Sequence, residues 1–435
     1  MGLHIGIDLG TSGCRAIAID QDRHIVAEAR TPLPPSQQPA VGHFEQNPAD
    51  WWEATLRVLD ELIPTLPNQS IETLCVDGTS ATLLLSDHQG NPLTPALMYN
   101  DTRSTLEAEQ LRNIIPQQSG AQGAGSSAAK LLYLTRKYKS INNKIHALHQ
   151  ADWISNRLCN RYPESDENNA LKMGYDPLQR GWPTWIKQLD LPSDCLPRIG
   201  IPGRPYGKLT PQLCRRWNID PSSNPVQICH GTTDSIASSL AAGIENYGDA
   251  VTTLGTTLVL KVVADSPIYS PEHGVYSHRL GDRWLISGAS NAGGGVLLEH
   301  FTLEEINQLG LKIDPTHPSG LDYYPLSSIG ERFPIADPDY LPRLSPRPDK
   351  PHHFLQGMLE GLTRIEMEGY QLMTRLGAPI PKRILSAGGG TKNRAWMALR
   401  EQHSPWPIFT AQTPEAAFGA ALLGEQRYCS SCRQY

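Results

Sequence analysis

No apolar run in these 435 residues approaches the ~20 that a bilayer-spanning helix needs. A basic run and a basic amphipathic helix are also missing, and the balance is weakly acidic, with a formal charge of −6 and a pI of about 6.2. Such a chain has no general electrostatic attraction for nucleic acid or an anionic membrane, and neither is expected as a partner. The opening "MGLHIGID" lacks the charged and apolar regions of a secretory leader, and Gly6 stands where a myristoylation signal wants Ser or Thr. A cytoplasmic location is expected, or an organellar stroma if a transit peptide has been removed. Cysteine is sparse and scattered. Cys14, Cys75, Cys159, Cys195, Cys214 and Cys229 read as reduced thiols packed as small hydrophobes. The one close pair, Cys429 and Cys432, has no second pair and no neighbouring histidine, and reads as a tail rather than a metal site. No Walker A motif opens the chain, and no GxGxxG leads into a helix there.

What is present is an ordinary globular composition, 39% hydrophobic and 19% charged, long enough for two domains at roughly 100–200 residues each. The opening "HIGIDLGTSGCRAIAID" alternates apolar residues through Ile5, Ile7, Leu9, Ile17 and Ile19, and Ile25 and Val26 follow a polar turn. That spacing predicts an antiparallel meander. Asn47, Pro48 and Asp50 mark a helix start, and Trp52, Leu56, Leu59 and Ile63 supply its apolar stripe. Residues 105–175 read as mainly helical, and the Pro- and Gly-rich text from 176 to 225 as a winding connection. A second start follows: the strand "PVQICHG", a helix beginning near Thr233–Asp234, and the hairpin "GDAVTTLGTTLVLKVV". Both halves thus carry a hairpin with an LGT turn, which suggests a duplication. The expected division is 1–243 and 244–435. Later come a long helix at 352–375, the strand "RILSA", and a last helix with Thr413 as its expected cap.

The chemistry lies in the turns. Asp8 ends an apolar strand, and Gly10, Thr11 and Ser12 follow. This is either an ordinary tight turn with a capping Asp, or a hairpin tip whose N–H groups grip phosphate beside a carboxylate that holds Mg²⁺ through water. The matching turn Thr253–Leu254–Gly255–Thr256–Thr257 favours the second alternative. Asp234, at a strand-to-helix junction, is a common N-cap or a base that takes a proton from a sugar hydroxyl. Gly293–Gly294–Gly295 and Gly388–Gly389–Gly390 fit close strand–helix packing or the close approach of a nucleoside.

These pieces occur in one order. Through "GIDLGTSGCR", "GHFEQNPADWW", "YNDTR", "HGTTDS", "TLGTT", Gly330-Glu331-Arg332 with Pro334, "GMLEGL", "SAGGGTKN" and "EAAFGAALLG", the chain resembles the FGGY carbohydrate kinases over nearly its whole length. The resemblance implies an α/β fold of two actin/hexokinase/Hsp70-like (ribonuclease H-like) domains with mixed sheets and an interdomain cleft. The first would carry the sugar side, and the second the nucleotide side. It implies Asp8 as the Mg²⁺-associated aspartate and Asp234 as the catalytic base. Thr11, Ser12, Gly255 and Thr256 match the phosphate-gripping turns, and Gly294, Gly388, Gly389 and Asn393 the adenosine side. Asp101 and Arg103 match an arm near the sugar, with Tyr99 in place of the usual Trp. ATP, Mg²⁺ and a small sugar are the implied cofactors and partner.

The segment that contacts sugar in xylulokinases as Gln-Met-His-Gly falls on Thr79–Ser80–Ala81–Thr82. The imidazole is replaced by Ala81, and Ser80 becomes the candidate sugar contact. Losing a polar partner to a buried hydroxyl changes discrimination strongly. The short length and "VDGTSATLLL" resemble the plant and cyanobacterial D-ribulose kinase group. The expectation is transfer of the γ-phosphate to a primary hydroxyl of a ketopentose, D-ribulose ahead of D-xylulose. The alternatives are a glycerol- or gluconate-like substrate, or a catalytically silent nucleotide-binding regulator.

Overall fold

The computed structural model describes residues 2–66, 71–138, 145–222 and 225–425. Cys429 and Cys432 lie outside the described residues. Two compact units emerge, one made of residues up to 241, 279–282 and from 415 onward, the other of 242–278 and 283–414.

The first unit is built on a six-stranded sheet. Its strands are β1 (Leu3–Leu9), β2 (Gly13–Ile19), β3 (Ile25–Pro32), β4 (Ile71–Gly78), β5 (Pro205–Lys208) and β6 (Gln227–Thr233), in the order β5-β6-β4-β1-β2-β3. The expected meander is there: β1, β2 and β3 pair antiparallel. β1, β4 and β6 run parallel. Helix α1 (Pro48–Leu62) starts where expected, because the Asn47 side chain accepts from the Ala49 N–H and Pro48 needs no donor. Trp51, Val58 and Leu59 of α1, which lies against β2 and β3, share one buried core with Ile5, Ile7 and Leu9. Helices α2 (Ser127–Lys137), α3 (Gln150–Cys159) and α4 (Asp234–Ala241) complete the parts used below.

The expectation of helix through 105–175 is corrected. Residues 145–149 form a strand paired antiparallel with 83–87, and 164–166 form another. "IHALH" is buried along its whole length, so its pairing is set by distant partners rather than by a local period.

The second unit has its own six-stranded sheet. Its strands are β7 (Asp249–Leu254), β8 (Leu258–Ala264), β9 (Tyr276–Leu280), β10 (Arg283–Ala289), β11 (Arg383–Ala387) and β12 (Ile408–Thr410), in the order β9-β10-β8-β7-β11-β12. The 25-residue helix α5 (Pro351–Arg375) packs Phe354, Leu355, Met358, Leu362 and Ile365 against Leu260, Val262 and Ile286. Helix α6 (Arg394–His403) follows β11.

The last helix, α7 (Ala416–Gly424), belongs to the first unit, not to the second as the expected division had it. Its first turn follows Glu415 rather than Thr413. The cause is steric fit. A Cβ on Gly6 of β1 would lie 1.9 Å from the Ala417 carbonyl oxygen, and one on Gly419 would lie 1.9 Å from that of Ala237 in α4. Only bare backbone lets α7 approach β1 and α4 this closely.

Candidate active site

In the first unit the parallel strands β1, β4 and β6 end side by side. Asp8 on β1 pairs with Asp77 on β4, and Asp77 pairs in turn with Thr232 on β6, two residues before Asp234. Ligands of open α/β sheets bind beyond such carboxyl ends. Burial, helped by the charge of Asp234, pushes the Asp8 carboxyl up to about 6. Asp77 is fully buried and is pushed well above the carboxylate range by burial first, then by Asp8 and Asp234. Among the described residues Asp77 has only the neighbouring Asp8 carboxyl with which to share a hydrogen bond, and the hydroxyl of Thr233 has no partner. Asp234 opens α4, and its carboxylate accepts from the Ser235 N–H at 2.7 Å. The three acids form one electrostatic group. Asp77 was missed in the sequence, although a carboxylate ending the apolar run "TLCVD" repeats the signal of "IGID" at Asp8.

Asp8 and Asp77 suit a hard divalent cation: both are oxygen donors, and Asp77 is buried with only the Asp8 carboxyl as partner among the described residues. No set of three His, Cys, Asp or Glu ligands among the described residues converges on Asp8. A Mg²⁺ there would keep water and phosphate ligands, as that ion prefers. The set that does converge, Asp20, Asp22 and His24, is a surface turn tied by the Asp22 and His24 N–H groups donating to Asp20.

The β1–β2 turn is tight, with the Gly10 N–H donating to the Gly13 carbonyl at 3.0 Å. Gln46, just ahead of α1, holds it. Its Nε2 donates to the Thr11 carbonyl at 2.8 Å, and its Oε1 accepts from the Trp51 indole. Ser12 is exposed and Thr11 half-buried. Asp8, Gly10, Ser12 and Arg15 line a depression of about 500 Å³.

Ser80 is the half-buried member of a turn whose other residues, Thr79, Ala81 and Thr82, are buried. Ala81 takes φ +63°, the left-handed region. Asp101 is fully buried, with its oxygens accepting from the Phe44 N–H at 2.7 Å and from Arg103 at 2.9–3.1 Å. Arg103 also donates to Glu45. The Asp101–Arg103 pair therefore braces the arm internally.

The second unit gathers its predicted residues around one hairpin. The Gly255 N–H donates to the Thr257 carbonyl at 3.2 Å, and the Gly294 N–H donates to the Gly255 carbonyl at 2.8 Å. Gly293 and Gly295 press on Thr256 and Thr257, leaving no room for a Cβ. Gly388, at φ +87°, sits 2.7 Å (ideal Cβ) from the Leu254 carbonyl, while a Cβ on Gly389 would meet nothing within 4 Å. The Asn393 side chain caps α6 by accepting from the Trp396 N–H. Gly294 and Asn393 thus have complete packing and capping roles, and Gly389 offers open backbone.

Two sequence profiles match in succession: the N-terminal domain of the FGGY family of carbohydrate kinases over residues 3–241, and the C-terminal domain of that family over 250–425. The chain belongs to the FGGY family of carbohydrate kinases. It is 26% identical to a xylulose kinase of Escherichia coli, over 97% of this chain and 90% of that one. The crystal structure of a xyloylose kinase from Brucella ovis superposes with a TM-score of 0.87 at 25% identity, over 97% of this chain and 90% of the other. A xylulose kinase from Rhodospirillum rubrum shares the fold at a TM-score of 0.84 and 24% identity, over 97% and 89%. The FGGY chain accordingly has the two-domain actin/hexokinase-like architecture and is a sugar kinase, a phosphotransferase acting on a hydroxyl group. No helix among the described residues is long and apolar enough to cross a membrane.

Proposed function

We propose that this kinase uses ATP to phosphorylate a primary hydroxyl of a ketopentose, D-ribulose ahead of D-xylulose. The observation that carries the reaction type is Asp234 at the head of α4, grouped with Asp8 and Asp77 where three parallel strands end. Phosphoryl transfer runs through a loose transition state, so positioning and charge neutralisation dominate. Asp234 orients the sugar hydroxyl and takes its proton late. Asp8 would hold Mg²⁺, with Asp77 behind it, and the ion would supply charge neutralisation at the transferred phosphate. The β1–β2 turn, with Thr11 and Ser12, and the β7–β8 turn, with Gly255 and Thr256, each offer N–H and hydroxyl donors to phosphate oxygens. Gly389, whose backbone is open, admits the nucleoside, and Gly388 at φ +87° makes the turn that presents it.

The sugar preference is supported by residues 79–82. Ala81 is buried and presents no polar group, and the buried Thr79 and Thr82 hydroxyls pair with each other, so the half-buried Ser80 supplies the hydroxyl that can reach a sugar. The Asp101–Arg103 pair supports the sugar side as a brace.

A panel of ketoses, polyols and aldonates with coupled ADP detection tests the proposal. The highest kcat/KM is expected for D-ribulose. Preference for D-xylulose, glycerol or gluconate overturns the sugar assignment. Nucleotide binding with no turnover on any member overturns the catalytic one and favours a regulator.

A further inference from the structure

Lysine is seldom buried without a carboxylate partner. Lys130 of α2 is fully buried, and among the described residues its ammonium donates only to backbone carbonyls: Met98 at 2.7 Å, Ala81 at 2.9 Å and Tyr99 at 3.4 Å. Burial draws it down to about 7, against the opposing pull of Asp101. A cation in this setting is retained at a cost, so its contacts call for a reason.

Its three acceptors come from two places. Ala81 belongs to the turn that carries Ser80. Met98 and Tyr99 belong to the arm braced by Asp101 and Arg103, and the Asp101 N–H donates back to the Met98 carbonyl at 2.9 Å. The far end of the same turn is held by Gln150, whose Oε1 accepts from the Thr79 N–H at 3.0 Å and the Thr79 hydroxyl at 2.7 Å. The Thr79 and Thr82 hydroxyls close the turn at 2.6 Å. Ala81 is held at φ +63°, which an alanine leaves readily when nothing anchors its carbonyl.

We propose that Lys130 is a positioning residue for the sugar: by anchoring the Ala81 carbonyl to the 98–99 arm, it fixes the turn that presents Ser80. The proposal rests on Ser80 as the sugar contact. It assigns Lys130 an effect on sugar binding and none on the nucleotide.

The test compares Ser80→Ala, Lys130→Met, Ala81→Gly and the double variant Lys130→Met/Ala81→Gly in the full chain, by steady-state kinetics and thermal melting. Lys130→Met is expected to raise the KM for D-ribulose about tenfold or more, with the KM for ATP within about twofold of wild type. In the double variant, glycine takes φ +63° without an anchor, and most of the sugar KM is recovered while the melting temperature is not. If Lys130→Met is not recovered folded, Lys130→Leu, which likewise has no donor, carries the same comparison. An unchanged sugar KM in a folded Lys130 variant, or sugar and ATP constants that worsen together, overturns the proposal. So does a double variant that shows no recovery. Wild-type protein inactive on ketopentoses, or Ser80→Ala with an unchanged sugar KM, overturns instead the sugar-site assignment on which it stands.

Discussion

Asp8 and Asp77 occupy directly paired positions on adjacent parallel strands, and burial holds both carboxyls above the ordinary carboxylate range. An acid whose folded pKa exceeds its unfolded one adds stability below the unfolded value, and that contribution is lost as pH rises through the folded value. For Asp8 the window runs from 3.8 to about 6. At neutral pH the pair therefore costs stability. Asp8→Asn, melted without metal, is expected to raise the melting temperature at pH 7.5, by an amount that shrinks toward pH 4, while turnover is lost. A lower melting temperature at pH 7.5 would contradict the arrangement.

Asp234→Ala removes the proposed base but leaves both hairpin turns in place. Turnover on every sugar of the panel is expected to fall by about a thousandfold, with ATP affinity by calorimetry unchanged. Near-normal turnover would remove Asp234 from the chemistry.

Gly6→Ala would drive a methyl group into the Ala417 carbonyl. Overpacking of this kind costs about 1–3 kcal/mol, read as a lower urea midpoint of the first unit. Gly389→Ala, with nothing within 4 Å, serves as the contrast and is expected to leave the midpoint in place.

Arg400 and Glu366 form a fully buried pair in the second unit, with two hydrogen bonds of 2.6 and 2.7 Å. Arg400→Met strands the Glu366 charge, and a loss of about 3–5 kcal/mol is expected in denaturant unfolding. Replacing both with apolar residues should restore part of it. Equal losses in the single and double variants would show that packing, not charge, is responsible.

His230 is buried and stacked on Tyr206 at 4.3 Å between ring centres, and burial draws it down to about 4. Its folded value lies below the unfolded 6.5, so the unfolded chain binds the extra proton. The stability it contributes is present above pH 6.5 and lost as pH falls through about 4. His230→Phe keeps a ring in place and is expected to flatten the fall in stability over that window. An unchanged slope would assign the acid sensitivity elsewhere.

Local signals carried far in the sequence. The β1–β2–β3 meander, the Asn47 cap, the β7–β8 hairpin and helix α5 were legible because each is written within a few neighbouring residues. What was not legible depends on distant partners. Residues 145–149 become a strand only because 83–87 lie alongside. Asp77 acquires meaning only in register with Asp8. Nothing in the local text marks Lys130 as buried; that depends on its three carbonyl acceptors, 31 to 49 residues away in sequence. The glycine turns were legible as close approaches. Which of them meet protein and which meet open space was decided by folding alone.

The bare-backbone seat of α7 on β1 also sets an order of events at the ribosome. The face of β1 around Gly6, with Ile17 and Ile19 beside it, is covered by Ala417, Phe418, Ala421 and Leu422. Those residues are translated some 400 positions after the strand they cover. The nascent first unit must therefore wait with an apolar face exposed while the second is made. During that interval a chaperone has an apolar strand face to hold.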